Sequence, residues 1–178
     1  ASKIDHLEII SNVKRYARSF FVSTLPRMCT FPELFRDLYF FGDINTSIYI
    51  TPISEARSQN ELNKTINELE TERIVAADRG RINRESTLTQ KRLEAEQLRD
   101  EIAAGFNKMY EASVISTLFT YNMEDMERLT KLLATEMSKS LVGIRSAWAI
   151  QEEAFKSNLP FMDDQIGKTH DFDSRSMG

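Results

Sequence analysis

His170, Asp171 and Asp173 stand within four residues of one another in a chain of 178, and they are the side chains closest to a metal-binding set. Imidazole nitrogen and carboxylate oxygen both hold divalent cations, but a closed site needs three or four such donors. No other His or Cys lies near them in sequence, and His6 stands alone near the other end, so both are read as solvated side chains. Glu152-Glu153 and Asp163-Asp164 are adjacent carboxylates. General acid–base chemistry needs an acid and a base brought to one cleft, and neighbouring positions do not supply that. The six glycines stand singly, with no GxxxxGK[ST] run to cradle a phosphate. The one cysteine, Cys29, excludes an internal disulfide and reads as a small buried hydrophobe. No catalytic constellation emerges, and for these residues no cofactor and no metal is expected.

The elements that would position any site are easier to read. Val13–Ser23 is aromatic and β-branched and stops at Leu25-Pro26, which predicts a strand with Tyr16, Arg18, Phe20 and Val22 on one face. Phe31–Phe41 predicts a helix opened by Pro32 and ended by Gly42. Ile44–Thr51 alternates, with Ile44, Thr46, Ile48 and Ile50 on one side, and Pro52 closes it. Lys108–Tyr121 predicts a long strand. Asn122 caps a helix with Glu124 and Asp125 in its first turn, Lys139 at its end, and a Met126, Leu129, Leu133, Met137 stripe. Val142–Ile150 alternates again and would place Trp148 in the core. A short helix over Gln151–Asn158 ends before Pro160, and residues 161–178 read as a linker.

Strand–helix–strand occurs twice, which predicts an α+β fold: a ferredoxin-like split β-α-β antiparallel sheet with two helices on one face. Right-handed crossovers would set the first and third strands side by side at its centre. Domain organisation follows as an α+β domain over 1–160, interrupted at about 54–104 by a long polar helical segment. That segment holds eleven acidic and nine basic residues, a solvated helical composition. Its sparse apolar positions mirror each other about residue 82: Leu62 with Ile102, Ile66 with Leu98, Leu69 with Ala95, and Ala76 with Leu88. Facing layers of an antiparallel hairpin need such a mirror, and Gly80 costs about 1 kcal/mol inside a helix, so the chain is predicted to turn there. The arm is read as a contact element, a mere structural spacer being the alternative, with Arg79, Arg81 and Arg84 at its tip as candidate interaction residues. Arg27, in the constrained loop between Pro26 and Pro32, is a fourth.

Hydrophobic content of 41% with eleven Phe supports a real core, and a net charge of −4 argues against nucleic-acid binding through bulk charge. The basic and aromatic pattern of an RNA-binding sheet is absent around Tyr16 and Tyr49. No apolar run approaches the ~18–20 residues of a membrane span, which makes a soluble chain the expectation.

Several stretches, in order, resemble the N-terminal domain of the large traffic ATPases of bacterial conjugation and type IV secretion. They are YARSFFVSTLPRM, FRDLYFFGDINTSIYITPI, ELNKTINELETER, LRDEIAAGFNKMYEASV and QEEAFKSNLPF, and together they span about residues 13–162. The resemblance implies a parent protein whose ATP- and Mg-dependent motor lies downstream, reached through the 161–178 linker. It implies a non-catalytic docking and assembly domain, cytoplasmic and peripheral at the inner face of the bacterial membrane. Its expected partners are inner-membrane channel subunits and the downstream ATPase domain, with homo-oligomerisation also open. A self-contained coiled-coil adaptor without a motor is the alternative.

Overall fold

The structure is a computed structural model that describes residues 2–26, 36, 38, 41–161 and 163–177. Arg27, Cys29 and most of the helix expected over Phe31–Phe41 lie outside the described residues. The chain divides into two compact units, the first comprising Ala1–Thr51, Glu111–Phe172 and Ser176–Gly178, the second Pro52–Tyr110 with Asp173–Arg175.

The first unit is built on a sheet whose long strands lie where the sequence places them. Strand β2 (Lys14–Thr24) pairs antiparallel with β4 (Met109–Thr120), from Tyr16 opposite Thr120 to Phe21 opposite Ile115. On the other side of β4 lies β3 (Ile44–Pro52). On the other side of β2 lie β1 (Leu7–Ile10) and β5 (Gly143–Ser146), with Leu7 opposite Ala17 and Phe20 opposite Ser146. The path β5-β2-β4-β3 is the split β-α-β order, with the first and third strands of the pattern at its centre.

Both faces of this sheet are covered. Phe20, Val22, Val114 and Leu118 pack with Met126, Leu133 and Met137 of helix α3 (Met123–Lys139), and buried Leu38, Phe41 and Val142 join that core. Asn122 starts α3 as expected, its side-chain oxygen accepting from the Asp125 backbone N–H at 2.8 Å. On the opposite face Ile115 packs with Ala147 and with Ala154 of α4 (Gln151–Ser157), an arrangement the two-helices-on-one-face pattern does not include.

Two expectations are overturned. Strand β5 stops at Ser146, so Trp148 falls in a turn and is 64% exposed rather than in the core. The chain turns there, with Ala149 in a left-handed backbone (φ 66°). Past Ser146 the β2 edge is taken by Gln151, whose Oε1 accepts from Ser19 N–H and whose Nε2 donates to Ser19 C=O. Nor is 161–178 wholly a linker. His170–Asp173 forms strand β6 against β4, and Phe172 is buried in the α3-side core, one apolar anchor in an otherwise polar stretch.

In the second unit α1 (Glu55–Asp78) and α2 (Ile82–Ala103) form the antiparallel hairpin. Ser54 caps α1, accepting from Arg57 N–H at 3.4 Å. Ile66, Ala76, Leu88 and Ile102 are buried along the seam and Leu62, Leu69, Ala95 and Leu98 are half-buried, which are the mirrored positions. Gly80 makes the turn with φ 65°. Its N–H reaches Ala77 C=O and that of Arg81 reaches Ala76 C=O, both at 2.9 Å, the paired bonds of a Schellman end. At the base Ile53 N–H donates to Met109 C=O at 2.9 Å. Ser174, which opens α5 (Ser174–Met177), donates through Oγ to Asn107 Oδ1 at 2.6 Å.

Candidate interaction surface

The end of α1 and the start of α2 carry the three arginines singled out in the sequence, and the structure brings them together. Arg79, Arg81 and Arg84 line one cavity of about 160 Å³ with Thr71, Glu72, Val75 and Ala76. The Schellman turn is what collects them: it reverses the chain within three residues, so the last turn of α1 and the first of α2 share one end of the hairpin. Arg84 is held by Glu72 at 3.4 Å. Arg79 and Arg81 have no ionic partner among the described residues. Exposed Ile74, Val75 and Ile82 stand beside them, so the end of the arm is both cationic and apolar.

Below the tip the helices are laced by charge. Arg73 donates to Glu70 at 2.8 Å and crosses to Glu85 at 3.2 Å, and Arg92 reaches Glu70 at 3.5 Å. The Glu70 carboxyl is held below its ordinary value by its hydrogen bond from Arg73, reinforced by the Arg73 and Arg92 charges. Pairs this exposed contribute register more than stability. They occupy Arg73, Arg92, Glu70 and Glu85 within the shaft, whereas Arg79 and Arg81 make no such pair among the described residues.

The residues considered for chemistry remain apart. Glu152 pairs with Lys156 at 2.8 Å, Asp164 Oδ1 accepts from the Ile166 and Gly167 backbone N–H groups, and His170 Nε2 contacts Val22 C=O at 3.1 Å. Among the described residues no three His, Cys, Asp or Glu side chains converge as metal donors. Arg27 lies outside the described residues.

Sequence reading did not anticipate a buried cation. Arg18 is 4% exposed on a core face and is satisfied by Asp5 Oδ2 and Glu127 Oε1, each at 2.7 Å, by Asp5 C=O at 3.0 Å and by Thr130 Oγ1 at 3.1 Å. The partners come from the N-terminal stretch and from α3, far apart in sequence, so only the oddity of an arginine between Tyr16 and Phe20 signals the cluster. It ties the N-terminal segment to the helix and is structural.

No protein-family model matches the chain, and no curated protein matches it. The resemblance to the traffic ATPases rests on the order and spacing of the stretches quoted above.

Proposed function

We propose that this chain is a non-catalytic docking and assembly module whose hairpin is the partner-contacting arm. The observation that supports this most is the tip: three arginines around one cavity beside exposed isoleucines, at the end of a shaft laced by the Arg73, Arg92, Glu70 and Glu85 cluster. A spacer with no partner gains nothing from exposed Ile82 and two unpaired guanidiniums, whereas an interface uses aliphatic anchors ringed by arginine. The family resemblance extends the reading to the N-terminal domain of a conjugation or type IV secretion ATPase. In that setting the arm contacts inner-membrane channel subunits, from a peripheral position at the cytoplasmic face of the membrane. ATP and Mg belong to the downstream motor. Among the described residues no helix is long and apolar enough to cross a membrane, so on this reading attachment runs through partners.

Photo-crosslinking groups placed at exposed positions 75 and 82 of the full-length protein, in cells carrying the secretion channel, test the reading. Capture of an inner-membrane channel subunit, lost when Arg79, Arg81 and Arg84 are all changed to Glu, is the expected result. Undiminished capture by the triple variant, or no channel subunit captured, rejects it. Calorimetric titration of this chain with ATP and Mg should show no saturable binding.

A further inference from the structure

A sheet edge in a soluble protein is an unfilled row of backbone donors and acceptors, and charged side chains are the usual guard against unwanted pairing. The short edge strands here carry that guard. Strand β1 has Glu8, β5 has Arg145, and β6 has Asp171 and Asp173. Strand β3 has none: its nine residues read INTSIYITP. It ends the strand order and, among the described strands, pairs only with β4.

A groove of about 580 Å³ follows β3, lined by Ser47, Ile48, Tyr49, Ile50 and Thr51 with Leu159 and Pro160. Successive strand residues point to opposite faces, so a groove touching five in a row runs along the backbone edge itself. Ile48 and Ile50 are 42% and 47% exposed on one face. On the other, Tyr49 is fixed by donating its hydroxyl to Ser157 C=O.

We propose that β3 of a second copy of this chain occupies this groove, antiparallel across a two-fold axis, joining the two sheets into one. Of the edges described, β3 matches itself best. With the axis at Tyr49, Ile48 lies opposite Ile50 of the second copy twice over, Tyr49 faces its own counterpart, and Ser47 faces Thr51. Apolar meets apolar, hydroxyl meets hydroxyl, and no like charges meet, which is what cross-strand pairing rewards. The contact is isologous and uses the uncharged edge of each copy, so growth stops at two.

Sedimentation of the chain from low to high micromolar concentration should show a species of twice 20.5 kDa. Ile48→Lys with Ile50→Lys sets lysines opposite lysines and should leave a monomer with unchanged far-UV dichroism, since both side chains are exposed. A chain with Ile48→Cys, Ile50→Cys and Cys29→Ser should form a disulfide-linked dimer on mild oxidation, and this holds even if the lysine variant misfolds. An unaltered chain that stays monomeric overturns the proposal, including one that takes up an added extended peptide along β3. So does a dimer that persists with both lysines, or a double-cysteine chain that stays monomeric on a non-reducing gel. Changing Arg79, Arg81 and Arg84 to Glu should leave the dimer intact, which separates this interface from the tip.

Discussion

Arg18 shows how a single side chain can set a pH limit. Its hydrogen bond, followed by its charge, holds the Glu127 carboxyl below its ordinary value. At Asp5 burial pushes upward, but the hydrogen bond to His6 and the Arg18 charge outweigh it, and the net shift is again downward. Folded values below the unfolded ones mean that the stabilisation is complete above about pH 4.5 and is lost as pH falls through the unfolded values toward the folded ones. Acid unfolding of the first unit should therefore steepen below about pH 4, and should do so less in a chain with Asp5→Asn and Glu127→Gln. At neutral pH that double change removes both counter-charges and leaves the buried guanidinium with neutral acceptors only. It should cost about 3 kcal/mol in urea unfolding, the lower end of the range, because both carboxylates are part-exposed and water can follow. Trp148 is the opposite case. With its indole in solvent, Trp148→Ala should change stability by no more than about 0.5 kcal/mol, and native fluorescence should be freely quenched by iodide. An indole shielded from iodide would place it back in the core.

At the scale of elements, most of the architecture could be read where local pattern and tertiary demand agree. Aromatic and β-branched content located β2, alternation located β3, Asn122 marked a helix start, and the mirrored apolar positions foretold the hairpin. What escaped reading were cases where something distant decides. The alternation of Val142–Ile150 runs on past Ser146, but Gln151 takes the neighbouring edge, so pattern continues where pairing does not. Strand β6 is four residues held by one buried phenylalanine, too short for any period to register. The tip arginines were legible as a cluster because a turn at Gly80 forces them together, whereas the β3 edge announces itself only by the charge it lacks. The turn makes a sharp prediction. An added Cβ at Gly80 meets no atom within 4 Å, so Gly80→Ala carries only the backbone penalty of φ 65°. The cost should be about 1–2 kcal/mol, with Gly80→Asn costing less. Thermal melts of helicity at 222 nm are the measurement, and an alanine variant as stable as the parent would contradict the turn.

For the molecule as a whole, the division into two units predicts separable stability. Replacing Asn63–Gln97 with a short Gly/Ser turn removes most of the seam and leaves every residue of the first unit in place. Helicity should fall while the remaining sheet unfolds in one cooperative transition. Loss of that transition would mean the arm is integral to the core. The closed base, where Ile53 N–H meets Met109 C=O, has a kinetic consequence as well. Strands β3 and β4 are neighbours in the sheet but are separated by more than fifty residues of chain, and a flexible loop of that length must lose considerable entropy before its ends first pair. A helical hairpin forms from local contacts on a much shorter timescale than long-range strand pairing. Once zipped, it delivers the end of β3 to the start of β4 as if they were joined by a tight turn. The arm is then a folding catalyst for its own sheet, and a variant that weakens it at Gly80 should lengthen the refolding time of the body far more than it hastens unfolding.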